Sequence, residues 1–407
     1  MSKYISATAY RGRSLLLVLS VTVFFVGFTE FMLSSMLSPL AVAFETTSVG
    51  ASWLVSSYAL SYALAAPLFG YFSDRTNKRK LLLLALLFFA VDGLAVIYTP
   101  TLEVAIMFRV FGGIASAALI PTVFSLLSDL VPLYSQAGAM GVVMLGMTVG
   151  ISCGPALAGV LTDILDWRAP FLLSSVGCLL TCVVGFYYLP LQSPPSTAKK
   201  PTFDGFRKWF VLRPVLAKAA WNGTSISAFL LSGEVLRQRY GFGPAEVGLT
   251  VVAFGVGLGL GNLTAGPLRK VCGREEGVLV LVSALLIPAV SIFMVLELAI
   301  WGSIVCLLFW GAALGAGAPL STVVLAARAG PDKGVVLAIA ETFNNLAILT
   351  VMPLATSMLV FGGAGLALIV ILIGLGVGLM LTVIDFYFLK PNLSRLSNLL
   401  IRPRGRK

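Results

Sequence analysis

Three carboxylates and one guanidinium interrupt long apolar runs of this chain, and they limit the chemistry it can do. Glu30 lies in Phe24-Phe25-Val26-Gly27-Phe28-Thr29-Glu30-Phe31-Met32-Leu33, and Asp92, Glu341 and Arg109 lie in comparable runs. A charge in hydrocarbon is costly and marks a functional-site hypothesis by default. The chain has no histidine, so any proton transfer at depth falls on these few carboxylates. Arg109 cannot lose its proton; it can compete with a proton for a carboxylate or hold an anion. Glu341 is followed one turn on by Asn344 and Asn345, which share its face on a helix, so this stripe could line a cavity or join helices by hydrogen bonds.

The elements that carry these residues follow from composition. Of 407 residues 58% are hydrophobic and only 11% charged, with a mean hydropathy of +0.98. Apolar stretches of at least about 18 residues, enough to cross roughly 30 Å of hydrocarbon, recur along the chain. Twelve spans are expected, at 14–38, 51–72, 81–98, 101–127, 138–161, 169–189, 212–234, 245–267, 277–296, 299–326, 334–358 and 362–388. The fold class is therefore an all-α membrane protein. The first span is too long for a cleaved signal peptide.

The net charge of +11 reports orientation, not nucleic acid. Arg168, Arg237 and Arg239 are placed on one side and Arg109 within a span, which leaves 24 of the 28 Lys and Arg for the other side and the termini. Arg109 is thus expected to be the only deep cation. That asymmetry puts both termini in the cytoplasm and makes the lipid bilayer the partner of the basic loops. The five cysteines lie in spans or a cytoplasmic loop, against a disulfide framework. No zinc or phosphate-loop motif appears. Gly255-Val-Gly257-Leu-Gly259-Leu-Gly261 lies within span eight with no strand before it and reads as close helix packing. No cofactor is expected, and with no phosphate-loop motif any energy would come from a gradient. The membrane potential offers about 2.3 kcal/mol per charge per 100 mV.

Residues 190–211 are the most polar interior stretch and read as a linker, with Phe203, Phe206, Trp209 and Phe210 suited to a short interfacial helix. This divides the chain into an N-terminal six-helix bundle (1–190), the linker (191–211), a C-terminal six-helix bundle (212–390) and a basic tail (391–407). A weak repeat supports two pseudo-symmetric bundles around a central cavity: Gly70 to Arg79 after span two and Gly266 to Arg274 after span eight.

Gly70-Tyr-Phe-Ser-Asp74-Arg75-Thr-Asn77-Lys78-Arg79 resembles the loop signature of the major facilitator superfamily. Arg109-Val-Phe-Gly112-Gly113 is similar to that superfamily's Arg-x-x-x-Gly element. Gly150-Ile-Ser-Cys-Gly154-Pro155-Ala-Leu-Ala158-Gly159 resembles the glycine-proline signature of its drug:proton antiporters, and Thr29-Glu30-Phe31 an element of their twelve-span branch. The resemblance covers essentially the whole chain. Asn77 departs from a usual glycine, and Lys270 stands where the first copy has Asp74.

The resemblance implies a bacterial inner-membrane carrier, not an enzyme, that exports a small organic molecule by proton antiport with alternating access. A proton-coupled importer or an uncoupled facilitator is the alternative. It implies a gating loop at Gly70, Asp74, Arg75 and Arg79, with Asp74 near Gly334 at the start of span eleven, and an antiport helix at Gly150, Gly154, Pro155 and Gly159. Glu30 and Arg109 are the expected proton-coupling pair. Glu30 is roughly 12 Å deep at 1.5 Å per residue, close to the depths of Arg109 and Asp92. Desolvation favours a neutral carboxyl and a nearby guanidinium an ionised one, so small movements could switch it. Asp92 and Glu341 are secondary candidates, with Asp92 read as structural. Tyr58, Tyr62, Trp221, Asn222, Trp310, Asn344 and Asn345 are the expected cavity residues. The substrate is expected to be neutral, with Arg109 leaving room for an anion; protons are the coupling partner, and a monomer is expected.

Overall fold

The computed structural model describes residues 2–72, 76–190, 209–329 and 333–400, with the side chains of 2–13, 71–72, 133–134, 137, 333 and 388–400 left aside. The expected gating residues Asp74 and Arg75, most of the linker and the last seven residues of the tail lie outside the described residues.

The described residues are helical, in the order α1 (Ser2–Phe31), α2 (Leu33–Ala43), α3 (Ser48–Phe72), α4 (Lys78–Ile97), α5 (Leu102–Leu130), α6 (Leu133–Ile164), α7 (Arg168–Tyr188), α8 (Trp209–Lys218), a π-helical turn (Ala219–Gly223), α9 (Thr224–Tyr240), α10 (Pro244–Cys272), α11 (Glu275–Val295), α12 (Ile300–Ala329) and α13 (Lys333–Leu400). Ten of these helices are long and apolar enough to cross a membrane. Two further crossings come from interrupted helices. Within α13, Gly363 has φ 75°, a conformation open to glycine without a Cβ penalty. The chain folds back there: Asn344 before the bend and Gly374 and Gly378 after it all pack on residues 221–224. Span seven is α8, the π turn and α9 in succession. It starts at Trp209 and ends at Tyr240, longer at both ends than expected.

Span one is α1 and α2, interrupted at Met32, two residues after Glu30, where the Ser35 N–H bonds the Met32 carbonyl at 3.2 Å. Ser34 and Ser35 donate their hydroxyls back to the carbonyls of Phe31 and Met32, and Pro39 has no N–H to give Ser35. Both effects bend a helix. Ser35 also donates to the Pro155 carbonyl at 2.9 Å, which ties the bend to span five.

Each half has its own apolar core. One includes Leu19, Val23, Leu86, Leu119 and Val143, all from the first half. Another is built on Phe229, Phe254, Phe293 and Trp310 from the second, with Phe31 and Ile151 reaching into it. Glycines set how closely the helices approach. A Cβ on Gly146 or Gly150 would overlap the carbonyl of Ser20 or Phe24, and one on Gly257 or Gly311 that of Leu308 or Phe254. Backbones in lipid pack this closely only over small residues. Gly150→Val should therefore cost about 1–3 kcal/mol through overpacking, read as a lower unfolding temperature of the purified protein.

Between halves, span two lies along span eleven, span five along span eight and α2 along α9. Gly159 meets Pro244, Gly248 meets Pro155 and Gly233 meets the Ser34 carbonyl. At the side of the termini, Gly70 faces the Ala338 side chain and Thr342 donates to the Ala63 carbonyl at 2.9 Å.

Candidate functional site

The sequence places Glu30, Asp92 and Arg109 at similar depth, and the helices bring them together through a tyrosine. Arg109 Nη1 donates to Asp92 Oδ2 at 2.9 Å, with both side chains 1% exposed. Its Nε reaches the Leu54 carbonyl at 3.4 Å. The guanidinium carbon stands 4.5 Å from the centre of the Tyr58 ring, within cation–π range. The Tyr58 hydroxyl donates to Glu30 Oε1 at 3.0 Å, and Ser116 adds a longer bond of 3.4 Å to the same oxygen. The direct partner of Arg109 is thus Asp92, and Tyr58 relays it to Glu30. Asp92, read from sequence as structural, is the residue that holds the cation.

Glycine makes this arrangement possible. A Cβ on Gly112 would occupy the place of the Asp92 carboxylate, and one on Gly113 would strike the Tyr58 carbonyl and the Ser61 hydroxyl. The spacing of Arg109 to Gly112 and Gly113 is therefore a steric requirement of the ion pair. The pair is not saturated: Arg109 Nη2 and Asp92 Oδ1 are buried without a hydrogen-bond partner in the protein, which leaves a donor and an acceptor for a rearranged state.

The second half has a matching pair that sequence reasoning missed. Lys218 Nζ donates to Glu341 Oε1 at 2.7 Å, with the lysine side chain 7% and the glutamate 41% exposed. Arg109 is thus not the only deep cation. Lys218 was assigned to the loop side although it lies six residues inside the expected span 212–234. Its signal was present, because Lys218 and Asn222 are four apart and share a helix face. Arg213 is also buried, paired with Asp385, which Arg328 shares at 2.7 Å before bonding Glu276 at 3.1 Å. This network joins the terminal-side ends of spans seven, nine, ten and twelve.

Lys218 is the last residue before the π turn. Such a turn inserts an extra residue into a helix and re-aims its side chains, often at functional sites. Here Asn222 donates from Nδ2 to Asn344 Oδ1 at 2.7 Å, and Asn345 donates to the Glu341 carbonyl at 3.0 Å. The stripe from Glu341 to Asn345 therefore joins spans seven and eleven. Tyr62 is 5% exposed and lies on span two one turn after Tyr58.

Two expected cavity residues are core residues instead. Trp221 is 1% exposed and packs against Gly317 and Gly378. Trp310 is fully buried among Phe229, Phe254 and Phe293, and its Nε1 donates to Ser225 Oγ at 2.6 Å. Both rings are drawn inward because the second half needs large apolar volume beside its glycine-lined helices.

The glycine-proline element of span five faces span one through Gly150 and Gly154 and span eight through Pro155 and Gly159, so it lies between the halves. Arg79 does not reach the other half. Its guanidinium bonds the Phe186 carbonyl and lies 5.2 Å from that ring. Lys78 instead links spans three and four, with Nζ 2.6 Å from Asp129 Oδ2.

Similarity to known proteins agrees with this architecture. The model of the Major Facilitator Superfamily matches twice, over residues 19–233 and 219–400. The chain is 25% identical to the MFS-type transporter YceJ of Bacillus subtilis, over 61% of this chain and 65% of that relative, so it spans just under two thirds of YceJ. It is 24% identical to the inner membrane transport protein YdhP of Escherichia coli, over 75% of this chain and 78% of YdhP. To the lincomycin resistance protein LmrB of Listeria monocytogenes it is 26% identical, over 58% of this chain and 47% of LmrB. The crystal structure of a D-xylose-proton symporter superimposes with a TM-score of 0.74 at 15% identity, over 91% of this chain and 96% of the symporter, a likeness of fold. Matched by one family in both halves, the chain belongs to the Major Facilitator Superfamily and is a multi-pass membrane transporter, not an enzyme.

Proposed function

We propose that this transporter exports a small organic molecule from a bacterial cytoplasm in exchange for protons, with Glu30 as the proton site. Arg109 acts on it through Tyr58. The protein lies in the inner membrane with both termini in the cytoplasm, as its loop charges favour.

One observation carries this reading. Of the three deep carboxylates, Asp92 and Glu341 each hold a cation, at 2.9 and 2.7 Å. Glu30 accepts only hydroxyl hydrogen bonds, from Tyr58 and Ser116, and forms no ion pair among the described residues. A carboxylate away from water needs a positive charge beside it or on it, and a proton supplies one reversibly. The lincomycin resistance of LmrB and the glycine-proline element of span five favour export.

The test is reconstitution into proteoliposomes, with a substrate found by thermal-shift screening of the purified protein. An acidic lumen should drive substrate in, and reversing the gradient should drive it out. Substrate movement in the opposite sense would identify a symporter, and indifference to the gradient an uncoupled facilitator.

A further inference from the structure

We propose that the seam between spans five and eight binds one anionic phospholipid from the leaflet on the side of the termini. One acyl chain lies between the two helices, and the phosphate sits on Lys270.

Span five (α6) and span eight (α10) run antiparallel, and their contact stops partway along. From the far side inwards, Gly159 meets the Pro244 carbonyl, Gly248 meets the Pro155 carbonyl and Gly255 meets Ser152. The next contact is looser: a Cβ on Gly259 would stand 3.7 Å from the Thr148 methyl group. The same register then sets Leu145 opposite Asn262 and Gly141 opposite Gly266. A Cβ on Gly141 or Gly266 would meet nothing within 4 Å among the described residues. Leu145 and Leu263 are 61% and 76% exposed. The seam therefore opens towards the side of the termini. Spans two and eleven remain together on that side, where Gly70 faces Ala338 and Thr342 bonds the Ala63 carbonyl. The opening belongs to one seam of the molecule.

Its length and chemistry fit a lipid. Lys270 lies eleven residues beyond Gly259, about 16 Å at 1.5 Å per residue. Half of a roughly 30 Å hydrocarbon core is about 15 Å, so the cleft matches the thickness of one leaflet. Leu263 continues the exposed stripe of Leu249, Val256 and Leu260, the flank that span eight turns to the bilayer. Asn262 falls on the other flank. A chain can thus enter between Leu145 and Leu263 past apolar side chains, and Gly141 and Gly266 leave it room. Without a chain, these walls would lie open to water, which apolar surface disfavours. At the mouth, Arg269 is neutralised by Glu275 at 2.7 Å. Lys270 is exposed and lies on the seam side of the helix with Gly259 and Gly266. It supplies one positive charge, and lysine holds phosphate as a point charge. A phosphodiester headgroup without an amine carries one negative charge.

Retention of lipid by the purified full-length protein, read by native mass spectrometry in mixtures of dioleoylphosphatidylglycerol and dioleoylphosphatidylcholine, tests this. The wild type should keep one phosphatidylglycerol, preferred about fivefold, as one lysine contributes at an anionic surface. Lys270→Gln should remove the preference while one lipid of either kind is still kept. Gly141→Phe with Gly266→Phe should fill the seam and lower retention of both lipids at least tenfold. Gly141→Ala with Gly266→Ala adds methyl groups that meet nothing and should retain phosphatidylglycerol like the wild type, which separates filling from any change in the helices. If the filled variant does not fold, Lys270→Gln decides alone. Equal retention of the two lipids by the wild type, an unmoved preference in Lys270→Gln, or full retention by a folded filled variant would overturn the proposal. Displacement of the lipid by a transported substrate, one for one, would make the seam a substrate route and overturn it as well.

Discussion

Glu30→Gln should fold, reach the membrane and lose proton-driven accumulation of substrate completely. Glutamine has the shape of a protonated glutamate and keeps the carbonyl oxygen that accepts from Tyr58 at 3.0 Å and Ser116 at 3.4 Å. Nothing around it has to move. The variant cannot release a proton, so it holds the site in its neutral form. Because the residue holds no cation, its replacement leaves no charge unpaired, and stability should change by no more than about 1 kcal/mol. The measurement is accumulation in proteoliposomes under an imposed pH gradient, beside the unfolding temperature of the same preparation. Full pH-driven accumulation by this variant would remove Glu30 from the mechanism.

Asp92→Asn should instead lower stability by about 3–5 kcal/mol, the usual cost of removing one partner from a buried ion pair. Both side chains are 1% exposed, so water cannot take over from the lost carboxylate. Arg109 would keep only its 3.4 Å bond to Leu54 and its place over the Tyr58 ring. The loss should show as a large fall in unfolding temperature and in membrane yield. Removing both charges together, Asp92→Leu with Arg109→Met, should recover most of that loss, since apolar replacements of buried pairs are often neutral or stabilising. It should not recover transport, because Tyr58 would lose the cation that orients its ring. A double variant as unstable as the single one would show that the helices need the charges themselves.

These two outcomes separate residues that looked alike in the sequence. Glu30, Asp92 and Glu341 are each one carboxylate in an apolar run, and depth counting could not rank them by partner. Arg109 was assigned to Glu30 because both fall at similar depth in the outer half of the membrane, Glu30 late in its span and Arg109 early in its own. Depth leaves the rotation of each helix about its axis open, and rotation decides which side chains meet. Gly112 was legible as part of a motif, but its reason, room for the Asp92 carboxylate, needed span three beside span four. Lys218 was lost for another cause. Its span is weakly hydrophobic because it carries Arg213 and Lys218, and charge near a span's start reads as a loop.

Composition and patterning by themselves determined that this is a helical membrane protein of about twelve spans in two related halves, with most of its charges in loops and termini and only a few at depth. That follows because hydrocarbon admits only closed backbone hydrogen bonding and long apolar runs, a constraint written along one dimension. Tertiary structure alone decided the pairings: Asp92 with Arg109, Glu341 with Lys218, and Glu30 with hydroxyls. It also turned Trp221 and Trp310 inward. An ion pair in lipid depends on angstrom-scale approach between helices far apart in the chain, here set by the glycines at the contacts, the bend at Met32 and the π turn at 219–223.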